Sequence, residues 1–138
     1  MERDPAEYAY LDMIQGVVNR LASTSAAFKG FAITLAAGIL AIATSATVNR
    51  PLLFAIALIG VIAIACFDCW YFLMEKRYRR LFDAVRDGEH PIDFDMNHPM
   101  KEEVHVSDAA RNKSIWLFYV VVIAVLVAMM AICQTGAV

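Results

Sequence analysis

Three long apolar segments dominate the sequence and leave few choices of fold. Residues 30–49, 52–74 and 115–134 contain a single charged side chain between them, Asp68. Each segment is about 20 residues long and as a helix covers roughly 30 Å, the thickness of the hydrocarbon core of a bilayer. Lipid offers no partners to backbone N–H and C=O groups, so such segments satisfy them internally as helices. Because 60% of the 138 residues are hydrophobic and 19% are charged, the sequence predicts an all-α integral membrane protein with three transmembrane helices.

The basic side chains predict the orientation of these spans. Eleven of the twelve Lys and Arg residues lie before the first span or between the second and third, and the remaining one, Arg50, lies between the first two. The positive-inside rule therefore predicts that the N-terminus and residues 75–114 are cytoplasmic and that the tail 135–138 is external. No short basic start with a cleavage site precedes the first span, so we expect an intact multi-pass protein of the bacterial inner membrane.

Two of the predicted helices extend beyond their spans on the cytoplasmic side. Asp4 is suited to cap a helix that starts at Pro5, covers the rest of 1–29 and enters the first span. The second helix meets no breaker before Gly88, so we expect it to continue through 75–87, with a loop at 88–114. Apolar residues in both extensions recur at alternating gaps of three and four, which is typical of a coiled-coil seam. The predicted seam of this antiparallel cytoplasmic stalk consists of Leu11, Ile14, Val18, Leu21, Tyr78, Leu81 and Val85.

Small residues recur along one side of the first span. Such stripes allow helix backbones to approach closely in lipid, where packing drives association. The pattern serves contacts within one subunit and between subunits equally well. We expect a homo-oligomer whose subunits pack through such stripes. The predicted packing residues are Gly30, Ala37, Gly38, Ala41 and Ser45.

Asp68 is the one charged residue inside the predicted spans. A charge exposed to lipid costs a few kcal/mol by insertion scales, so we expect this side chain to face protein. Lys29 lies at the matching depth of the adjacent antiparallel span and is the expected partner, with Thr34 as a further donor. A structural pair that fixes helix rotation and register is one interpretation. A gating, proton-sensing or ion-path role is another, and an interfacial position reached by water is a third.

A basic cluster directly follows the second span. Its members are suited to contact anionic lipid headgroups, where each basic residue contributes about 1 kcal/mol. The same cluster also serves as the topology signal, and the two interpretations are compatible. The residues are Lys76, Arg77, Arg79 and Arg80.

The cysteines and the loop acids resemble metal or redox motifs but fit other roles better. Cys66 and Cys69 form a C-x-x-C pair within a predicted span, where core packing is favoured over redox chemistry, metal binding and palmitoylation. The stretch "HPIDFDMNHP" offers four potential ligands, His90, Asp93, Asp95 and His98, in an order that matches no metal motif. We expect no metal and no cofactor there. We expect instead that the apolar members of the loop, Ile92, Phe94 and Met96, dock on the stalk.

The chain resembles a family of small bacterial three-span membrane proteins of mostly unassigned function. The resemblance rests on "YLDMIQGVVNRLASTSAAFKGFAITL" at 10–35, "FDCWYFLMEKRYRRLFDAV" at 67–85 and "DFDM" at 93–96. Proteins of this size and layout recur as membrane effectors or accessory subunits in bacterial antiviral systems. The resemblance thus implies an all-helical membrane protein and suggests antiviral defence as a setting.

The function we expect is that of an oligomeric effector that permeabilises or depolarises the membrane on a cytoplasmic signal. The chain has no P-loop, nucleophile elbow, dinucleotide-binding glycine pattern or zinc-protease helix, so we do not expect an enzyme or a nucleic-acid partner. The alternative is a membrane anchor or scaffold that recruits a soluble cytoplasmic protein. An enzyme is further disfavoured because Asp68 and the loop acids lie far apart along the chain.

Overall fold

The structure, a computed structural model, describes residues 4–43, 49–97 and 113–134, without the side chains of residues 114 and 134. This part of the chain forms three helices: α1 (Pro5–Ala43), α2 (Arg50–Arg86) and α3 (Lys113–Gln134). Each is long and apolar enough, by length and composition, to cross a membrane. Ser45, His98, most of the 88–114 loop and the predicted external tail lie outside the described residues.

The starts of α1 and α2 follow from capping side chains. Asp4 Oδ1 accepts a hydrogen bond from the Ala6 amide at 3.0 Å, and Pro5 occupies the first helical position, where a missing N–H is not needed. Asn49 caps α2 in the same way, since its Oδ1 accepts from the Leu52 amide at 3.3 Å. The predicted helix start at Asp4–Pro5 is confirmed.

Gly88 ends α2. Its φ of +77° lies in the left-handed region, where a residue without Cβ has no steric penalty. The Gly88 amide donates to the carbonyl of Val85 at 3.2 Å, and the Glu89 amide donates to that of Ala84 at 2.9 Å. These two bonds form a Schellman motif, which satisfies carbonyls that the helix end leaves unpaired. The predicted continuation of the second helix as far as Gly88 is therefore confirmed.

Internal contacts divide the chain into two compact units. The helix-pair unit contains the described parts of Met1–Ser25 and Trp70–Ala110. The three-helix unit contains the described parts of Ala26–Cys69 and Arg111–Val138. Helices α1 and α2 each contribute to both units without a break.

The helix-pair unit has a small apolar core between α1 and α2. Five residues of the predicted seam lie in this core, and Tyr78 packs against it, whereas Leu21 is half-buried and outside it. Supercoiling of the two helices stays a prediction. The buried residues are Tyr10, Leu11, Ile14, Val18, Leu81 and Val85, and Tyr78, Phe82 and Met96 pack around them.

In the three-helix unit, α1 packs through a face other than the predicted stripe. Gly30, Thr34, Ala37, Gly38 and Ala41 are exposed, and a Cβ added at Gly30 or Gly38 would have nothing within 4 Å. At 100° per residue they lie opposite the buried face of α1. Within this unit, that face contains Ala32, Ile39 and Ala43.

Among the described glycines, Gly60 on α2 is the one at a close approach between helices. A Cβ built there would lie 2.8 Å from Cδ2 of Leu35 on α1. Its neighbours along the same face of α2, Phe54, Ala57 and Val61, are buried. Gly60 was not singled out by the sequence pattern because it stands alone rather than in a stripe.

Two glycine substitutions test the helix end of α2. We expect Gly88→Ala to lower the free energy of unfolding by about 1 kcal/mol, because an L-residue is disfavoured at positive φ. Gly16→Ala should raise it by roughly 0.5–1 kcal/mol, because Gly16 is an exposed residue within α1 and Ala is the better helix former. Neither new methyl group meets an atom within 4 Å, so the pair isolates backbone conformation. Unfolding in mixed detergent micelles, followed by circular dichroism, measures both; changes of the same sign would contradict the assignment.

Candidate functional site

Asp68 is a fully buried carboxylate in an apolar stretch of α2. Its side chain has 0% exposure, and it is one of the largest fully buried side chains among the described residues. The surrounding sequence, from Leu52 onward, offers no other charge until Glu75. A carboxylate in such surroundings stays ionised only when charged and hydrogen-bonding groups replace its water.

Two other helices supply those groups. The Nζ atom of Lys29 on α1 lies 2.8 Å from Oδ2 of Asp68, and the Lys29 side chain keeps 26% exposure. The hydroxyl of Tyr119 on α3 donates to the same oxygen at 3.1 Å. The cluster of Lys29, Asp68 and Tyr119, here called the polar centre, thus joins all three helices of the three-helix unit through one carboxylate.

Aromatic packing beside the polar centre fixes the register of α1 against α2. Phe28 and Phe67 each precede a member of the ion pair, and their rings stack at 6.1 Å with an interplanar angle of 13°. Sliding one helix by a residue would break both the ion pair and the ring contact. The polar centre can therefore form in only one register of α1 against α2.

The expected partner of Asp68 is in place, and a second one was missed. Thr34 is exposed, and its hydroxyl donates to the carbonyl of Gly30 at 3.0 Å, so Tyr119 provides the hydroxyl contact to Asp68 instead. Thr34 lies on the face of α1 that points away from its packed side. The available signal was that Tyr119 carries the only side-chain hydroxyl in 115–134.

A second polar arrangement lies in the helix-pair unit, where two tyrosines hold the segment 93–97. The Tyr10 hydroxyl lies 3.0 Å from the carbonyl oxygen of Asp95 and 3.3 Å from Oδ1 of Asp93. The Tyr78 hydroxyl donates to the carbonyl of Met96 at 2.9 Å. One tyrosine comes from α1 and the other from α2, so the segment is bonded to both helices.

The held segment contains a backbone conformation that is unusual for its residue type. Phe94 has a φ of +56°, which L-residues other than Asn and Asp seldom adopt. Asp93 accepts from the Asp95 amide at 2.9 Å, and Asp95 accepts from the Asn97 amide at 2.8 Å, forming two consecutive Asx turns. The Phe94 ring lies 5.1 Å from that of Tyr10.

Asp93 and Tyr10 shift each other's pKa in opposite directions. Burial raises the pKa of Tyr10 to about 12, with further contributions from the charge of Asp93, its hydrogen bond and the charge of Asp95. The Asp95 amide lowers the pKa of Asp93, helped by His90 and the Tyr10 hydroxyl. The neutral phenol paired with an ionised Asp93 is thus the stable state at neutral pH.

The predicted docking of the loop involves two of its three apolar residues. Phe94 contacts Tyr10, and Met96 packs against the core of the helix-pair unit, whereas Ile92 is exposed. His90 Nδ1 lies 2.8 Å from the carbonyl of Pro91. In the described residues, no group of three or more His, Cys, Asp or Glu side chains is placed to hold a metal ion.

The cysteines are free thiols, and the core role predicted for the C-x-x-C pair is wrong for one of them. Cys66 is exposed, because it lies on the side of α2 away from the buried Asp68 and Val61. Cys69 and Cys133 are partly buried.

In the basic cluster after the second span, two residues contact a partner on their own helix and two do not. Lys76 Nζ lies 5.5 Å from the centroid of the Phe72 ring, and Arg79 pairs with Glu75 at 2.7 Å. Arg77 is partly buried, and its Nε has no hydrogen-bond partner, while Arg80 is exposed.

The comparisons with known proteins leave the class to be defined by the fold alone. No protein-family model matches the chain, and no curated protein or solved structure is significantly similar to it. The described part of the chain is all-helical, with three helices of the length and hydropathy found in multi-pass membrane proteins.

Substitutions at the polar centre distinguish the contribution of the ion pair to stability from that of side-chain packing. We expect Asp68→Asn to lower the free energy of unfolding by about 2 kcal/mol, because Lys29 loses its counter-ion while still largely buried. Adding Lys29→Met should return stability to within about 1 kcal/mol of wild type, since replacing both charges removes the unpaired one. Cys66→Ala, two residues away and exposed, should change it by less than about 0.5 kcal/mol. Unfolding in mixed micelles measures all three, and a double variant less stable than Asp68→Asn would contradict this account.

The tyrosine contacts predict a pH dependence. The pKa of Tyr10 rises from 10.0 to about 12 on folding, so its stabilising contribution is complete below pH 10 and is lost as the pH rises through 12. Tyr10→Phe should lower the free energy of unfolding by about 1 kcal/mol at pH 7 and flatten its decline between pH 10 and 12. Tyr8→Phe, at an exposed position, is the control and should follow wild type. A wild-type decline no steeper than that of Tyr10→Phe would remove the role given to this hydroxyl.

Proposed function

We propose that the protein is an oligomeric effector of the bacterial inner membrane that permeabilises or depolarises the membrane on a cytoplasmic signal. The observation that carries this proposal is the polar centre. It connects three apolar helices through one buried carboxylate, and the stacked rings of Phe28 and Phe67 lie beside it. Separating Lys29 from Asp68 would take the cation away from a buried carboxylate, which is unfavourable, so we infer that a shift in helix packing switches between discrete arrangements.

The continuity of two helices supports control from the cytoplasmic side. α1 and α2 pass without a break from the helix-pair unit into the three-helix unit. The basic residues of 1–29 and 75–114 favour a cytoplasmic helix-pair unit by the positive-inside rule. A signal that alters the contacts of Tyr10 or Tyr78 would therefore act on helices that also carry Lys29 and Asp68.

The exposed stripe on α1 supports assembly of several copies. Gly30, Ala37, Gly38 and Ala41 point away from the buried face of α1, so close packing there is left to another helix. A ring of copies that meet through this stripe could enclose a path through the membrane. The setting in bacterial antiviral defence is proposed on the sequence resemblance alone.

Induced expression in bacteria with a membrane-potential dye tests the effector function. We expect wild-type protein to depolarise the cells and Asp68→Asn to do so at least several-fold less at equal membrane abundance. Cys66→Ala should match wild type, since its side chain is exposed and lies off the polar centre. Unchanged potential with abundant protein in the inner membrane would count against the effector function.

A second pair of variants in the same experiment tests assembly of the subunits. Ala37→Leu fills the stripe, whereas Val121→Leu enlarges an exposed side chain on α3. We expect Ala37→Leu to reduce both depolarisation and the number of subunits per nanodisc, with Val121→Leu close to wild type. Equal effects of the two would remove the reason for placing the interface on α1.

A membrane anchor that recruits a soluble protein is the alternative, and a cavity in the helix-pair unit favours it. The cavity has a volume of about 220 Å³ and is lined by Gln15, Val18, Arg79, Phe82 and Asp83. This lining combines apolar, polar and charged side chains, so the cavity suits a partner side chain that has both an apolar and a polar part. A stoichiometric soluble partner retained in mild detergent, without any change in membrane potential, would support the anchor over the effector.

A further inference from the structure

The four basic residues after the second span differ in the partners that their side chains contact within α2. Arg79 forms an ion pair with Glu75, with its Nε donating at 2.8 Å and its Nη2 at 2.7 Å. Lys76 lies over the ring of Phe72 on its own helix, 5.5 Å from the centroid. These two cations therefore have partners within α2.

Arg77 stands apart from them. Its Nε is shielded from solvent and has no hydrogen-bond partner. A buried donor left unpaired is unfavourable, and native proteins pair such groups or place an ion or water beside them. If the guanidinium turned outward toward an anion, its Nε and one Nη would each donate a hydrogen bond. The planar guanidinium group can bind two oxygens of one anion in this way.

Arg80 supplies a second cation on the same side of the helix. Residues three apart on an α-helix are neighbours, so the Arg77 and Arg80 side chains can reach the same anion. Arg80 is exposed and lies one turn further from the apolar segment of α2 than Arg77 does. With the Arg77 side chain turned outward, the two guanidinium groups would form one site at the end of a segment long and apolar enough to cross a membrane.

Trp70 indicates what kind of anion this site would meet. Its side chain is 54% exposed, although it belongs to an apolar stretch of α2. It precedes Arg77 by two turns, about 10 Å along the axis and about 20° around it, so both lie on one face. Exposed tryptophans at the end of a span sit at the headgroup level, which puts Arg77 and Arg80 at or just beyond the phosphates.

We propose that Arg77 and Arg80 bind the phosphate group of an anionic phospholipid, with Trp70 beside its glycerol and upper acyl region. A free phosphate offers the same oxygens but no acyl chain to contact the indole. The lipid is therefore the occupant that uses all three side chains. This inference goes beyond the proposed effector function and shares with it only the placement of α2 across a membrane.

Native mass spectrometry of the detergent-purified protein tests the proposal. The protein is mixed with equal amounts of phosphatidylglycerol and phosphatidylcholine, and the ratio of the two bound lipids is measured. We expect the wild type to prefer phosphatidylglycerol roughly tenfold and Arg77→Gln/Arg80→Gln to retain less than a twofold preference. The control, Arg79→Gln/Arg86→Gln, removes two charges from the same helix that already have carboxylate partners, and should keep most of the preference.

Two further measurements separate the effect of the guanidinium geometry from that of charge, and a lipid phosphate from free phosphate. Arg77→Lys/Arg80→Lys keeps both charges, so an intermediate preference is expected and this pair remains informative if the glutamine pair fails to fold. Excess inorganic phosphate should leave bound phosphatidylglycerol in place. No lipid preference in the wild type, equal losses in the two glutamine pairs, or displacement by inorganic phosphate would each overturn the proposal.

Discussion

A carboxylate taken out of water is stable as an anion only where a cation and hydrogen-bond donors stand in for the lost water. Asp68 is in that position, and the conditions are met by Lys29 at 2.8 Å and Tyr119 at 3.1 Å, one from each of the other two helices. Other contacts between α1 and α2 in the three-helix unit are compatible with the helix positions that this ion pair requires. Phe28 stacks on Phe67 beside the ion pair, and Leu35 approaches Gly60 further along the same two helices. The ion pair and the hydrogen bond of Asp68 thus add a polar constraint on rotation and sliding to the constraint set by packing.

The helix-pair unit is built on a different principle. Its core is apolar and small, and the polar contacts lie around it, where Tyr10 and Tyr78 bond the carbonyls of Asp95 and Met96. The positive φ of Phe94 is held by the Asx turns on either side of it. The two units share α1 and α2, so a change of contacts at the tyrosines and a change of pairing at Asp68 involve the same helices.

Features decided by neighbouring residues were predictable from the sequence. Asp4, Pro5 and Gly88 mark helix ends because capping and left-handed backbone depend on nearby residues alone. The 3-4 spacing placed Leu11, Ile14 and Leu81 on inward faces, where they are buried. Lys29 was predictable as the partner of Asp68 because a short link makes the first two spans antiparallel, which fixes depth. Tyr119 was missed because no short link relates the third span to the others, and Cys66 because a spacing of three does not reveal which face is buried.

Several features are encoded locally in the sequence: three apolar helices long enough to cross a membrane, most of their ends, and one acid that requires a partner. These follow from composition, period and local chemistry, which do not depend on distant residues. The tertiary structure alone decided which faces meet. It turned the small-residue stripe of α1 outward and used Gly60 for the close approach, brought Tyr119 to Asp68, and separated Arg77 and Arg80 from the already paired cations. The physical reason is that an apolar helix in lipid has no polar side to orient it, so its rotation is set by contacts with other helices.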